Sequence, residues 1–307
     1  MRSINASGSL CYMTSPVPKW FTDALAAKVD CGSVDVAGTS IAYRAWGEPA
    51  ARGIVLVHGG GAHARWWDHI APLLIDPDHR VAALDLSGHG DSGRRRTYTL
   101  DQWAEEVMAV AGEAGISGPP VIIGHSMGGF VALRVAGMYG AKLEGVVVVD
   151  SPVRDVTPED QAARDHRAFG PVRVYPTREI AIHRWRPIPD QLTLPYIAEH
   201  VASTSIREVD GGWSWKFDPR IFGRPQVTPA LLTQFDCRVA LFRAENGIVT
   251  PQTGDLMYDG LGRVAPLIEI PAAGHHVMLD EPLAMVTGIR TLLSDWDHSV
   301  PAAPSNR

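Results

Sequence analysis

Val121-Ile122-Ile123-Gly124-His125-Ser126-Met127-Gly128 is the stretch whose reading decides the fold. The β-branched run Val121–Ile123 reads as a strand buried on both faces, and the apolar pattern from Met127 to Tyr139 reads as a helix. A G-x-S-x-G turn joins them. The turn is so tight that side chains two before and two after the serine would clash, hence glycine at both positions. It lifts the Ser126 hydroxyl clear of the sheet. It also sets Ser126 at a helix N-terminus, where free N–H groups and the helix dipole favour a developing negative charge. Ser126 is therefore the candidate nucleophile.

Outward from this turn, the same rhythm repeats. Short apolar runs at Ile54–Val57, Val81–Leu84, Val146–Val149, Val239–Phe242 and Pro266–Ile270, most of them unbroken, predict further buried strands. Helices are expected over Leu100–Gly112, capped by Thr99 with Gln102 closing a capping box, and over Pro282–Leu293. A hairpin, Ser33–Val36 and Ile41–Trp46 around Ala37-Gly38-Thr39, precedes them. Strand–helix alternation after a leading hairpin predicts an α/β fold with a mostly parallel, doubly wound sheet.

The segment from Val153 to Thr228 breaks the rhythm. It is rich in proline and tryptophan, lacks a buried-strand run and is too long for a plain loop. It is expected to be a mostly helical insertion over one end of the sheet. The expected organisation is an N-terminal extension (1–29), a core (30–152 and 228–298), a cap (153–227) and a C-terminal tail (299–307). Met1 to Tyr12 is Ser/Gly-rich and patternless and reads as a mobile tail, with Met13 an alternative start.

A serine needs a base. His275 follows the last strand run in Ile270-Pro271-Ala272-Ala273-Gly274-His275-His276 and is the expected base, with His276 the second choice. His125 lies inside the turn and points elsewhere. His58 heads His58-Gly59-Gly60-Gly61, directly after Ile54–Val57, and is expected to brace that loop. Bare glycine N–H groups there would complete an oxyanion hole, assigned to Gly60 and Met127. Glycine loops also bind phosphate, but neither G-x-x-x-x-G-K-[ST] nor G-x-G-x-x-G is satisfied.

These motifs, with Asp85-Leu86-Ser87-Gly88-His89-Gly90-Asp91-Ser92 and Asp280-Glu281-Pro282, make the chain resemble the α/β-hydrolase fold family, especially bacterial serine esterases with a helical cap. The resemblance covers about residues 30 to 298 and is weakest in the cap. It implies a third residue, an acid after the penultimate strand. There the sequence departs: it reads Ala244-Glu245-Asn246-Gly247, with glycine at the usual Asp position. Two carboxylates remain. Asp150, ending the valine strand, is preferred, since some members carry the acid there; Glu245 is the alternative.

Apolar residues are 45% of 307, enough to bury a core and exclude a disordered chain. With 28 Lys and Arg against 34 Asp and Glu, no basic excess recommends a nucleic acid. Three cysteines without C-x-x-C spacing argue against a disulfide framework or zinc site, and fit a cytoplasmic setting. No run is long enough for a membrane span. No cofactor or metal is expected, and nothing sets an oligomeric state. Trp66, Trp213 and Trp215 are candidate pocket walls. Arg184 and Arg186 flank Trp185 and could meet a substrate carboxylate. The expected activity is hydrolysis of small to medium carboxylic esters, including monoesters with a free carboxylate, through an acyl-enzyme. The alternatives are carbon–carbon bond hydrolysis of a ring-cleavage product, and a non-catalytic ligand-binding role.

Overall fold

The computed structural model describes residues 16–76, 79–169, 173–225 and 227–299. The Met1–Tyr12 stretch, Met13 and residues 300–307 of the tail lie outside them.

Among the described residues there are ten strands: β1 (Asp30–Val36), β2 (Thr39–Trp46), β3 (Arg52–Val57), β4 (His79–Leu84), β5 (Val121–His125), β6 (Gly145–Val149), β7 (Ile206–Val209), β8 (Gly212–Trp215), β9 (Arg238–Asn246) and β10 (Leu267–Gly274). The helices are α1 (Lys19–Ala26), α2 (Leu100–Glu113), α3 (Met127–Tyr139), α4 (Pro158–Phe169), α5 (Arg178–Arg184), α6 (Pro195–Thr204), α7 (Pro251–Gly260), α8 (Val277–Asp280) and α9 (Pro282–His298). Eight strands make one sheet in the order β1-β2-β4-β3-β5-β6-β9-β10. The β1–β2 and β2–β4 pairs are antiparallel, and every other pair is parallel.

Both faces of the central strands are covered, as their unbroken apolar runs require. Ile54 and Leu56 of β3, with Ile123 and Val147, pack on one side with Met285, Ile289 and Leu292 of α9. Val55, Val57 and Ile122 pack on the other with Val107 and Val110 of α2 and Val131 and Val135 of α3. Alternate residues of each strand thus serve opposite layers. Helix α2 starts where its capping pattern places it, with the Thr99 side chain accepting from the Gln102 N–H. Helix α1, inside the stretch expected as an extension, buries Phe21 and Ala24, and Phe21 joins the core layer that holds α9. Truncating a buried phenylalanine such as Phe21 would cost about 3–5 kcal/mol.

The elements between β6 and β9 stand outside the main sheet. They are α4, α5, α6 and, beside these helices, the antiparallel hairpin β7–β8. The signal was present: Ile206 to Val209 and Gly212 to Trp215 flank Asp210-Gly211, and Gly211 takes φ 85°. The apolar alternation there is too short and half-buried to read as a buried run. This segment docks on the loop after β4 and on α8 at the C-terminal edge of the sheet. The Gly90 N–H donates to Lys216 O and the Asp218 N–H to Gly88 O, both at 2.7 Å. The Leu194 N–H donates to Leu279 O at 2.9 Å. Among the described residues, no helix is long and apolar enough to cross a membrane.

Candidate active site

Ser126 is the entire connection between β5 and α3. Its backbone is held at φ 54°, ψ −118°, a region that costs a residue with a side chain about 1–3 kcal/mol. Two hydrogen bonds fix it: the Ser126 N–H donates to Val149 O at 2.9 Å, and the Gly129 N–H to Ser126 O at 3.0 Å. The flanking glycines are required by space. A Cβ at Gly124 would sit 2.0 Å from Gly128 O, and one at Gly128 2.4 Å from Val57 O.

His275 follows β10, and its two ring nitrogens face Ser126 and Asp150. Nδ1 lies 2.8 Å from Asp150 Oδ2 and Nε2 lies 3.0 Å from Ser126 Oγ. A carboxylate only accepts, so Nδ1 carries the proton and Nε2 presents a lone pair to the serine hydroxyl. Asp150 is fully buried. Its Oδ2 also accepts from the Ile248 N–H at 2.9 Å, and its Oδ1 from the Ala244 N–H at 3.2 Å and the Val249 N–H at 3.4 Å. The loop after β9 therefore wraps the carboxylate. Gly247 explains the departure at that loop: a Cβ there would lie 2.3 Å from Asp150 Oδ2. Glu245 points away, accepting from the Ala272 N–H at 2.6 Å from an exposed position.

The glycine loop lies against the serine. A Cβ on Gly59 would sit 3.2 Å from Ser126 Cβ, and one on Gly60 3.6 Å from Met127 Sδ. The backbone N–H groups of Gly60 and Met127 donate to no acceptor among the described residues. His58 braces this loop. Its Nδ1–H donates to Gly59 O at 2.8 Å while its Nε2 accepts the Leu86 N–H at 3.1 Å. Burial pushes its pKa down to about 4, so it stays neutral.

Three features were not legible in the sequence. Gln191, between α5 and α6, clamps the histidine loop. Its Oε1 accepts from the His276 N–H at 2.7 Å, and its Nε2 donates to Asp280 Oδ2 at 2.8 Å. Asp280 Oδ2 also accepts from the Gly274 N–H at 2.6 Å. His275 is thus bracketed on both sides, by a glutamine that belongs to no motif. Burial raises the Asp280 pKa to about 6. The second feature is aromatic. Phe222 and Phe217 are the rings against the glycine loop, within 3.2 Å of a Cβ on Gly60 and 3.6 Å of one on Gly61.

The expected pocket tryptophans divide. Trp66 packs 5.4 Å from the His276 ring and 5.9 Å from that of Trp185. Trp213 pairs with Tyr175 through backbone bonds, and Trp215 meets the Tyr175 ring at 5.4 Å.

The third feature is a histidine cluster. One ring nitrogen from each of His125, His275 and His276 lies within 4.8 Å of the other two, and all three residues are buried. No local spacing announces it, because His125 is 150 residues from His275. Burial holds the pKa of His125 well below its usual value and that of His276 down to about 3.

A mostly parallel sheet that carries its serine on a strained β5–α3 turn defines the α/β-hydrolase class. The chain belongs to the alpha/beta hydrolase family, whose sequence pattern matches residues 54–287. It is similar to Esterase Rv0045c of Mycobacterium tuberculosis, with 26% identity over 265 residues, 84% of this chain and 87% of that one. It is also similar to Lipase LipV of the same organism, 26% identical over 254 residues, 78% and 92% of the two chains. The thioesterase domain from the curacin biosynthetic pathway shares the fold, with a TM-score of 0.72 at 20% identity over 86% of this chain and 99% of that one.

Proposed function

We propose that the chain is a serine hydrolase of carboxylic esters. The observation that carries this reading is the hydrogen-bonded line Ser126–His275–Asp150, at 3.0 and 2.8 Å, on a buried carboxylate. Ser126 attacks the ester carbonyl as His275 Nε2 takes its proton. Asp150 holds the imidazole in the required tautomer and stabilises its charged form. The N–H groups of Gly60 and Met127 receive the oxyanion. His275 then protonates the leaving alcohol and draws a proton from the water that frees the acyl-enzyme. The relatives named esterase and lipase agree with this chemistry.

In this reading residues 153–227 are a cap that shapes the substrate site. Trp185 links it to the centre through Trp66 and His276. Arg184 and Arg186, on either side of Trp185, join Arg173, Tyr175 and Ile180 around a surface cavity of about 400 Å³. Three guanidinium groups on the cap are the basis for including small or medium esters that carry a free carboxylate among the proposed substrates.

The test is a panel of p-nitrophenyl esters of rising acyl length beside charged monoesters, run with labelling by a fluorophosphonate. Wild type should turn over esters and be labelled at Ser126; Ser126→Ala should lose both while keeping its circular dichroism. Residual turnover above a tenth of wild type in the pure variant would exclude the serine mechanism.

A further inference from the structure

Two pairs of aromatic rings reach the candidate centre from opposite layers of the core, and they differ in exposure. Trp66 and Trp185, in the layer of α9, are both buried, and Trp66 packs on the ring of His276 next to His275. Phe217 and Phe222 pack on the layer of α2 and α3, which holds Met127 and Ile221, and are only half-buried. Their rings meet edge to face at 6.0 Å. A Cβ on Gly60 would have Phe222 Cε1 at 3.2 Å and Met127 Sδ at 3.6 Å. The Phe222 ring therefore stands against the bare Cα of Gly60, beside both residues of the proposed oxyanion hole.

The segment between the two phenylalanines is firmly anchored. Asp218 is buried and accepts from Tyr98 Oη at 2.9 Å and from the Arg220 guanidinium at 2.6 Å. Tyr98 is itself buried and stacks on Trp103 at 5.9 Å. Ile221, in the turn Pro219–Gly223, is fully buried. The anchors hold two large apolar rings part-exposed next to the nucleophile. Covering such surface with an apolar ligand group removes it from water and is favourable.

We propose that Phe222, with Phe217, bounds the space for the acyl chain and sets acyl preference, and that Tyr98 positions the two rings through Asp218. The tetrahedral centre has four substituents: Ser126 Oγ, the oxyanion, the leaving oxygen and the acyl carbon. The oxyanion faces Gly60 and Met127. The leaving oxygen comes within reach of His275 Nε2, which protonates it, so the alcohol lies on the side of His276 and Trp66. The acyl carbon takes the remaining direction, past the glycine loop, where Phe222 stands. This inference rests on the ester-hydrolase reading and adds to it which half of the ester the phenylalanines select.

The test varies one end of the ester while the other stays constant. p-Nitrophenyl esters from acetyl to octanoyl vary the acyl chain, and methyl, benzyl and phenyl acetates vary the alcohol. A methylene in an apolar pocket is worth tenfold or more in kcat/KM, so Phe222→Ala should raise the octanoyl-to-acetyl ratio more than about tenfold and leave the ratios among acetates within about threefold. Phe222→Trp should lower the acyl ratio. Phe222→Leu gives the same direction as Phe222→Ala should the alanine variant fail to fold. Tyr98→Phe keeps the ring and releases Asp218, so it should move the acyl ratio as Phe222→Ala does, by less, with circular dichroism unchanged. p-Nitrophenyl alkylphosphonates read the same space without turnover. Ser126 Oγ displaces p-nitrophenolate from phosphorus, its proton passes to His275, and the alkyl group on phosphorus stands in place of the acyl chain. Their labelling rates should shift with chain length as the ester ratios do. Acyl ratios unmoved in the Phe222 variants, or acetate ratios that move as far, would overturn the acyl assignment and leave the serine mechanism standing. A wild type that neither hydrolyses the esters nor takes the phosphonate label would overturn the ester-hydrolase reading and this inference with it.

Discussion

Asp150→Asn tests the arrangement of the centre at its most constrained point. The wild-type carboxylate takes four N–H donors: His275 Nδ1, Ile248, Ala244 and Val249. An amide of the same shape has one oxygen and one NH₂ group. If the NH₂ faces His275, the imidazole must present a lone pair at Nδ1 and a proton at Nε2, which aims a donor at the serine it should deprotonate. If the oxygen faces His275, the NH₂ is driven against the N–H groups of Ala244 and Val249. A buried unmet donor of that kind costs about 1–3 kcal/mol. Either way the negative charge that stabilises the imidazolium is gone. The matching change in serine proteases lowers turnover about ten-thousand-fold. A loss of two to four orders of magnitude is therefore expected, a barrier rise of about 3–5 kcal/mol. Because Asp150 is fully buried, the loss should fall on kcat with KM little changed. The assay is steady-state kinetics on a p-nitrophenyl ester, with circular dichroism to confirm folding and Glu245→Gln as the comparison. Glu245 holds Ala272 from an exposed position, so its variant should lose less than about tenfold, under about 1.4 kcal/mol. A tenfold or smaller loss in Asp150→Asn, or a greater loss in Glu245→Gln, would refute the reasoning.

Three further outcomes are expected. Gly247→Ala places a methyl 2.3 Å from Asp150 Oδ2; displacing that carboxylate should cut kcat by about a hundredfold, and wild-type kinetics would show that the loop simply yields. Gln191→Leu removes the clamp on the His276 N–H and Asp280, and should slow both turnover and fluorophosphonate labelling by about tenfold or more; an unchanged labelling rate would make Gln191 a packing residue. The fold should lose stability in acid. Burial lowers the pKa of His58 and His69 to about 4 and of His276 to about 3, against 6.5 when unfolded, and holds those of His63, His89 and His125 well below it. Stability from these groups is present above 6.5 and is lost as pH falls through and below that value. Asp85 and Asp280, raised from 3.8 to about 6, and Glu106, also raised by burial, act in the opposite direction as pH falls. Six histidines against these three carboxylates should leave the thermal midpoint falling between pH 6.5 and 4, and a flat or rising midpoint there would contradict the burial of neutral imidazoles.

The sheet was legible because its central strands are buried twice. A strand with one wet face must alternate, whereas Val146-Val147-Val148-Val149 and Ile54-Val55-Leu56-Val57 have no polar side to hide, and the structure covers both faces. The helix α2 was legible from chemistry local to its first turn, Thr99 and Gln102. The segment between β6 and β9 was not. It docks on the loop after β4 and on α8, through Lys216, Asp218 and Leu194, and such contacts leave no period in the sequence. The short β7–β8 hairpin gains its register from Asp210-Gly211 and its partner strand, not from a buried run.

The acid of the candidate centre marks the boundary between the two kinds of information. Reading the loop after β9 by its motif alone returns an anomaly, a glycine where a carboxylate is usual. Placing β6 and β9 side by side resolves it. They pair in parallel, Val149 opposite Phe242, and the Asp150 N–H then donates to Phe242 O at 2.8 Å. The residue ending β6 therefore arrives beneath the loop ending β9, and a carboxylate at 247 would sit against the fully buried carboxylate of Asp150. Like charges that close raise each other's pKa and disfavour the ionised pair. With Asp150 present, position 247 has neither the electrostatic allowance for an acid nor, at 2.3 Å, the room for a Cβ. The absent aspartate and the aspartate at 150 are one constraint seen from two strands. A single sequence displays each half, but the register of the sheet is what joins them.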